Sequence, residues 1–330
     1  MRRRDFIGLV GGATAWPLAV TWPSCSIAEG TGKVWRVGVL PGPRGSEGSA
    51  NILERSLGDL GYVRDKNLVL VSQYSEPNPQ STEDAILSIL PTSDLLVVAG
   101  TLGGVAAKKL VTTKPVIFVS VGAPVDIGLV ESLSRPGGNL TGITFEASAE
   151  TYAKRLQLLK EVMPELNRVA VLQARGDPNV KFAMASFEAA APLLGVQLLP
   201  VAVSAPNELA GAFDEMKRNE SEALIVIAGL FTIINSRQIA SLALANRLPS
   251  CHPFKETVVA GGLIGLGPDI GAMWRQAAGF VDKIIRGAEP KDLPVQQPTR
   301  YELVVNLKTA KELSLVVPPS ILARADLVIE

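Results

Sequence analysis

The sequence is poor in the residues that most often carry catalysis or bind metals. Among its 330 residues it has a single histidine, His252, and two cysteines, Cys25 and Cys251. A structural zinc site needs about four His or Cys ligands at short spacings, so these residues exclude one. Neighbours on a strand point to opposite faces of a sheet. We therefore interpret Cys251 and His252 as structural residues rather than as a nucleophile and its base.

An excess of positive charge is also absent. Lys plus Arg equals Asp plus Glu at 32 each, which argues against a nucleic-acid partner, because such proteins cluster basic residues. The apolar stretch near the N-terminus contains Gly8, Gly11 and Gly12 and is too short to span a membrane.

Two glycine-rich segments resemble phosphate-binding motifs, but neither has the residue spacing that those motifs require. The segment "GLGPDIG" (265–271) is one residue too long for the dinucleotide fingerprint, and "GPRG" (42–45) lacks the Lys-Ser/Thr ending of a P-loop. An acid–base pair or a nucleophile elbow is not recognisable either. The sequence therefore predicts a protein that is not an enzyme and has no cofactor. An exported Rossmann-type oxidoreductase with a nucleotide cofactor stays open as the alternative.

The first 28 residues have the features of an export signal. An arginine cluster (2–4) leads into "RRDFI" (3–7), which resembles the twin-arginine motif although Gly8 replaces the usual Lys, and "SIA" (26–28) suits signal peptidase. An uncleaved N-terminal anchor is the alternative. Lipid attachment through Cys25 is disfavoured, because "WPSC" has Trp where a lipobox has Leu. Removing residues 1–28 takes away three Arg and one Asp and leaves 29 positive and 31 negative residues. We expect export to the periplasm, and a mature chain in which Cys251 cannot form an intramolecular disulfide.

The rest of the chain repeats one plan twice. "RVGVL" (36–40) and "RVAVL" (168–172) each lead through a loop to a helix that ends at a glycine, and "DLLVVAG" (94–100) matches "EALIVIAG" (222–229). These short, β-branched runs are typical of strands buried on both faces of a parallel sheet. The alternation of strands and helices predicts an α/β fold with two doubly wound parallel-sheet lobes, a multi-strand hinge and a ligand cleft between the lobes.

Strands and helices remain after the second copy of the plan ends, which indicates that the chain crosses between lobes more than once. The expected crossings are 137–147, 254–262 and 293–303. We assign 34–143 and 257–292 to the N-terminal lobe, and 144–256 and 293–330 to the C-terminal lobe.

Two segments carry a family likeness. "GLVESLSRPGGNLTGITF" (128–145) and "LPVQQPTRYELVVNLKTAKELSLVVPPSILARADLVIE" (293–330) resemble a bacterial ABC-transporter substrate-binding family with the type I periplasmic-binding-protein fold. The resemblance implies a two-lobed receptor that closes on a small solute, amino acids among them, and delivers it to an ABC permease in the inner membrane. Two positions depart from the family pattern: Ala123 stands where many members have Asp, and "GLG" (265–267) replaces "SYG". Both departures favour a less polar solute.

Candidate ligand-binding residues lie in the loops at the strand ends, where open α/β sheets bind ligands. In the first half they are Ser46 and Thr101, whose hydroxyls accompany free N–H groups at helix starts. A simple helix cap is an equal explanation for Thr101. Arg175 offers a guanidinium to a ligand carboxylate, while Asp177 is also a common turn former. The remaining candidates are a turn amide, two aromatic residues and two hinge carboxylates: Asn179, Phe231, Phe254, Glu146 and Glu256.

The sequence thus predicts the periplasmic solute-binding component of an ABC importer, which binds a small amino-acid-like or carboxylate solute by cleft closure. We expect a monomer whose partners are that solute and the permease. A repressor of the same fold would carry an N-terminal helix-turn-helix, and the leader occupies that position.

Overall fold

A computed structural model describes residues 33–146 and 150–330. The export signal, its twin-arginine motif and Cys25 lie outside the described residues. In the part that is described, no helix is long and apolar enough to cross a membrane.

The strands fall into two sheets in which neighbours are mostly parallel. They are β1 (Trp35–Leu40), β2 (Leu68–Ser72), β3 (Leu95–Ala99), β4 (Val116–Val121), β5 (Leu140–Thr144), β6 (Arg168–Ala174), β7 (Gln197–Val203), β8 (Ala223–Val226), β9 (Ser250–His252), β10 (Ile264–Gly267), β11 (Glu302–Asn306) and β12 (Leu327–Ile329). The five-stranded sheet has the order β2-β1-β3-β4-β5, and the seven-stranded sheet has the order β12-β11-β10-β9-β8-β6-β7. Among the described strands, β10 and β11 are the only antiparallel neighbours.

Helices cover both faces of the sheets. They are α1 (Glu47–Asp59), α2 (Pro79–Ile89), α3 (Gly100–Leu110), α4 (Glu150–Val162), α5 (Val180–Leu194), α6 (Leu209–Arg218), α7 (Leu230–Ile234), α8 (Ser236–Ala245), α9 (Lys255–Val259), α10 (Ile270–Ile285), α11 (Leu307–Glu312) and α12 (Pro319–Leu322). Short 3-10 turns lie at Leu90–Thr92, Pro206–Glu208 and Pro290–Asp292. We call the five-stranded sheet with its helices the first lobe and the seven-stranded sheet with its helices the second lobe.

The repeated plan is present in the strand order. In the first lobe β2-β1-β3-β4-β5 follow one another, and in the second lobe β7-β6-β8-β9-β10 follow one another in the corresponding order. The central strands are fully buried because helices pack on both faces, as the run Leu95–Ala99 illustrates. Pro200 lies in β7, which is an edge strand and so tolerates a residue without an N–H.

One part of the expected lobe assignment is corrected. The sequence predicts residues 257–292 in the N-terminal lobe, yet β10 within them pairs with β9 and β11 in the second sheet. The five-residue α9 is a short crossover that brings β10 next to β9. The chain returns to the first lobe just after Gly267, and α10 then packs its buried face, including Trp274, against the first sheet. The other boundaries stay predictions.

Three crossings therefore connect the lobes: one just after β5, one between β10 and α10, and one before β11. The first and third lie side by side, because Thr144 N donates to Gln296 O at 2.9 Å and Gln296 N donates to Gly142 O at 2.9 Å. The second crossing falls later than the expected 254–262. Parallel connections of this kind favour bending about a hinge.

Candidate functional site

A cavity of about 550 Å³ lies between the lobes, at the carboxyl ends of the strands. The first lobe contributes the loop after β1 and the starts of α1, α3 and α10. The second lobe contributes the loops after β6, β8 and β9. This is the position in which doubly wound sheets place ligands, and the volume lies within the range of small-molecule sites.

Five of the nine candidate residues line this cavity. They are Ser46, Thr101, Asp177, Phe254 and Glu256. The structure brings them together from both halves of the chain, because equivalent loops of the two lobes face each other.

Asp177 supplies a carboxylate from the loop between β6 and α5. Its Oδ1 accepts a hydrogen bond from Asn179 N at 2.9 Å. Its Oδ2 lies so close to Gly229 that a Cβ there would be 2.7 Å away, so a larger residue at this position would displace the carboxylate. Burial raises the pKa of Asp177 to about 6, and the hydrogen bond from Asn179 opposes this only in part. Asp177 is thus a desolvated carboxylate with one oxygen free for a ligand.

Glu256 supplies a second carboxylate from the first turn of α9. The pKa of Glu256 is raised, chiefly because the surrounding protein desolvates its carboxylate. Among the described residues, neither Glu256 nor Asp177 forms a salt bridge, and their free oxygens can receive an ammonium group.

The remaining charges around the cavity neutralise one another. Asp269 caps α10 by accepting from Ala272 N at 3.0 Å, and its Oδ2 lies 3.3 Å from Arg275 NH2. Lys255 Nζ lies 3.9 Å from the same oxygen and 2.8 Å from Glu302 Oε2. The uncompensated charge of the cavity wall is therefore negative.

Hydroxyl and N–H donors line the first-lobe wall. Thr101 does not cap its helix, as the N-cap of α3 is Ala99, and its Oγ1 instead accepts from Gly122 N at 3.2 Å. The hydrogen of that hydroxyl is free to donate. Ser46 occupies the N-cap of α1, and within the described residues its hydroxyl makes no capping hydrogen bond to the first turn. The first N–H groups of α3 are unpaired within the helix, so a ligand carboxylate can bind there.

Aromatic and aliphatic side chains form the rest of the wall. Phe145 and Phe254 meet edge to face with ring centroids 5.8 Å apart. Sequence reasoning missed Phe145, Leu230 and Trp274. Trp274 lies five residues after Asp269, the N-cap of α10, and this spacing from a helix start could have indicated a position near the cavity. Whether Trp274 reaches the cavity also depends on where the chain crosses between the lobes before α10.

The other four candidate residues do not line this cavity. Two of them, Arg175 and Phe231, lie away from it. Arg175 is exposed and bonds to Ser204 Oγ and Ala202 O along the second lobe, in a separate depression that Asp126 and Ile127 of the first lobe also line. Phe231 is 3% exposed and packs into the second-lobe core, because the first turn of α7 directs it inward.

The other two candidates, Glu146 and Asn179, are buried at the hinge and beside the cavity. Glu146 Oε1 lies 2.8 Å from Arg155 NH2, and Arg155 Nε donates to Leu266 O at 2.8 Å. Burial raises the pKa of Glu146, and the guanidinium of Arg155 opposes that rise. Glu146 is therefore a hinge residue rather than a residue of the cavity wall.

The two departures from the family pattern also lie outside this wall. Ala123 lines a neighbouring interlobe cavity of about 330 Å³, together with Glu146. Leu266 packs against the second-lobe core. Neither position lines the cavity that holds Asp177, and the less polar solute that they favour stays a prediction.

His252 and Cys251 are fully buried. Burial lowers the pKa of His252 to about 4 and raises that of Cys251 to about 12. His252 Nε2 lies 3.0 Å from Ser250 Oγ. Across residues 33–146 and 150–330, no group of three His, Cys, Asp or Glu is placed to hold a metal ion.

The lobes touch across the cavity. A Cβ on Gly100 would lie 3.1 Å from Leu230 Cγ, and a Cβ on Gly42 would lie 3.3 Å from Leu230 Cδ2. Both glycines belong to the first lobe and have positive φ angles of 73° and 113°. Leu230 of the second lobe thus packs onto two backbone surfaces of the first.

Comparison with known proteins gives one family. The profile of "ABC transporter substrate binding protein" matches residues 49–329. A tyrosine-binding protein from Clostridioides difficile (strain R20291) is 24% identical over 263 residues, which are 79% of this chain and 75% of that protein.

Solved structures share the fold. An ABC domain in complex with L-Trp from Streptococcus pneumonia superposes with a TM-score of 0.83 at 23% identity, over 90% of this chain and 100% of that one. A conserved domain protein from Vibrio cholerae gives a TM-score of 0.84 at 24% identity, with the same coverage.

Proposed function

The chain belongs to the ABC transporter substrate-binding protein family, and from this premise we propose that it captures a small amino-acid-like or carboxylate solute in the cavity of about 550 Å³. As a member of that family it binds a solute for an ABC transporter. The alternative of an exported oxidoreductase finds no support among the relatives.

The observation that carries the proposal is that the same cavity wall contains carboxylates without a salt-bridge partner and aromatic side chains. Asp177 is placed to accept an ammonium group, while the first turn of α3 and the hydroxyls of Ser46 and Thr101 are placed to bind a carboxylate. Phe254 and Trp274 offer an apolar surface for a ring. A zwitterion with an aromatic or aliphatic side chain matches this arrangement, and the relatives named for tyrosine and L-Trp support it.

Capture proceeds by closure of the lobes without chemistry. A solute that touches both lobes stabilises the closed state by contacts that the open state lacks. The closed protein then presents the solute to the permease. We further propose that the mature protein works in the periplasm as a monomer after export by the twin-arginine route, on the strength of residues 1–28.

Calorimetric titration and thermal shift with L-tyrosine, L-tryptophan and benzoate test the proposal. We expect an amino acid to bind, and a solute at 100 times its Kd to stabilise the protein by about 2.7 kcal/mol. Thr101→Val should weaken that binding about 10- to 100-fold, because a hydrogen bond to a charged group contributes about 1.5–3 kcal/mol. Arg175→Ala is the control and should leave the affinity unchanged. A protein that responds to none of the three solutes would contradict the proposal.

A further inference from the structure

Asn179 is held rigidly at the start of α5. It is 1% exposed, its Oδ1 accepts from Tyr152 Oη at 3.0 Å, and its Nδ2 donates to Ala228 O at 3.3 Å. Tyr152 in turn lies under the guanidinium of Arg155, 5.3 Å from its ring centroid. Asn179 is therefore fixed from the hinge side and from the loop after β8.

The first lobe meets this carboxamide at a glycine. Gly122 follows β4, and a Cβ there would lie 2.1 Å from Asn179 Oδ1 and 2.8 Å from its Cγ. Its N–H donates to Thr101 Oγ1. The φ angle of Gly122 is not among the positive ones, so the backbone itself would accept alanine. The close approach of Asn179 is the main reason for glycine here, and Phe145 Cε1, 3.1 Å from the same Cβ position, is the next neighbour.

This contact joins the lobes outside the solute cavity. Neither Gly122 nor Asn179 belongs to the wall of the cavity that holds Asp177. The contact forms between protein atoms alone, so it needs no solute, whereas it requires the lobes to be closed.

We propose that Asn179, seated on Gly122, is a positioning residue for solute capture: it holds the closed arrangement of the lobes and so sets solute affinity without touching the solute. The proposal rests on capture by closure. Apparent affinity is reduced by the fraction of protein in the binding-competent state, so a contact that raises the closed fraction tightens binding.

The test is the interlobe distance in the absence of any solute. Spin labels at Arg44→Cys and Arg237→Cys, both at exposed positions of opposite lobes, report it by double electron–electron resonance in the full chain with Cys25→Ser. Cys251 is buried with a raised thiol pKa and stays unlabelled. The variants are Gly122→Ala, Asn179→Ala and the double variant. Gly58→Ala is the matched control, because a Cβ there meets nothing within 4 Å.

We expect a short distance in the wild type and in Gly58→Ala, and a longer one in Gly122→Ala, whose methyl group clashes with Asn179. The interlobe distance of Asn179→Ala should be intermediate between that of the wild type and that of Gly122→Ala. The double variant should equal Asn179→Ala, since the new methyl group then meets no carboxamide. For a solute found by titration, Gly122→Ala should raise Kd at least about tenfold.

An unchanged distance in Gly122→Ala, or a double variant as open as Gly122→Ala, would overturn the proposal. So would a wild type that is already open without solute. If Gly122→Ala does not fold, the test rests on Asn179→Ala. An interlobe distance in Asn179→Ala equal to that of the wild type would then overturn the proposal. The distance needs no solute, so failure of the titration with L-tyrosine, L-tryptophan and benzoate would bear on the proposed function and not on this contact.

Discussion

At the scale of single residues, Asp177 is the side chain on which ligand chemistry depends most. We expect Asp177→Asn to weaken the binding of an amino-acid solute by about 10- to 100-fold at pH 7.5, because a charged hydrogen bond contributes about 1.5–3 kcal/mol. Calorimetric titration measures the change. Asp59→Asn, at an exposed position of α1, is the control and should bind as the wild type does. Equal affinities for Asp177→Asn and wild type would remove Asp177 from the site.

The same residue makes binding and stability depend on pH in opposite ways. The pKa of Asp177 is about 6 in the folded protein, above the ordinary value of 3.8 for an aspartate. A carboxyl with a raised pKa destabilises the folded state above that pKa, and the penalty disappears as the pH falls to about 4. The ligand-free Asp177→Asn variant should therefore be more stable than the wild type at pH 7.5, by on the order of 3 kcal/mol, and nearly equal to it near pH 4. Solute affinity of the wild type should fall as the pH drops through about 6. Urea unfolding and titration at several pH values test both directions.

Sequence reasoning identified the loops that surround the cavity better than the direction in which their side chains point. Thr101 and Asp177 were predictable because each follows a strand whose carboxyl end must face the cleft. Arg175 lies only two residues from Asp177, yet the turn at Gly176 sends it to solvent. The direction of a side chain after a tight turn depends on φ and ψ angles that a single sequence does not determine.

At the scale of elements, the hinge is organised by a buried ion pair. Glu146 follows β5, Arg155 lies on α4, and Arg155 also donates to Leu266 O in β10. We expect Glu146→Gln and Arg155→Met each to destabilise the protein by about 3–5 kcal/mol, because each leaves its partner buried without a counter-charge. The double variant should lose much less than the sum, since no uncompensated charge remains. Denaturant unfolding of the four proteins gives the coupling energy, and strict additivity would show that the pair does not interact.

Elements were predicted well where the pattern was local. The repeated strands appear in the same order in both lobes, because short β-branched runs between helices permit few other structures. β10 was misplaced for a physical reason. Its sequence "IGLG" gives no sign of which sheet it joins, and the choice depends on the length of α9 and on packing beside β9.

At the scale of the whole molecule, the sequence predicts two lobes and a cleft but not the contacts that close it. Leu230 and Asn179 of the second lobe meet Gly42, Gly100 and Gly122 of the first. Each glycine belongs to a different strand end, and nothing in their local sequence pairs them with a residue more than 50 positions away. Contacts between lobes depend on the hinge angle, which is a property of the assembled fold.

The contact of Leu230 leads to the last prediction. Leu230→Ala should leave the two glycine surfaces uncovered and so remove apolar burial that exists only when the lobes are closed. Burying a leucine side chain fully contributes about 1.5–3 kcal/mol, and Leu230 is half-buried, so a loss of about 1 kcal/mol and a five- to tenfold higher Kd are expected. The change should come mainly from faster dissociation, because removing the side chain does not hinder solute entry. Leu193→Ala is the matched control, since that leucine is 87% exposed on α5. Stopped-flow dissociation of the solute identified by titration measures the effect, and a dissociation rate equal to that of Leu193→Ala would show that Leu230 does not stabilise the closed state.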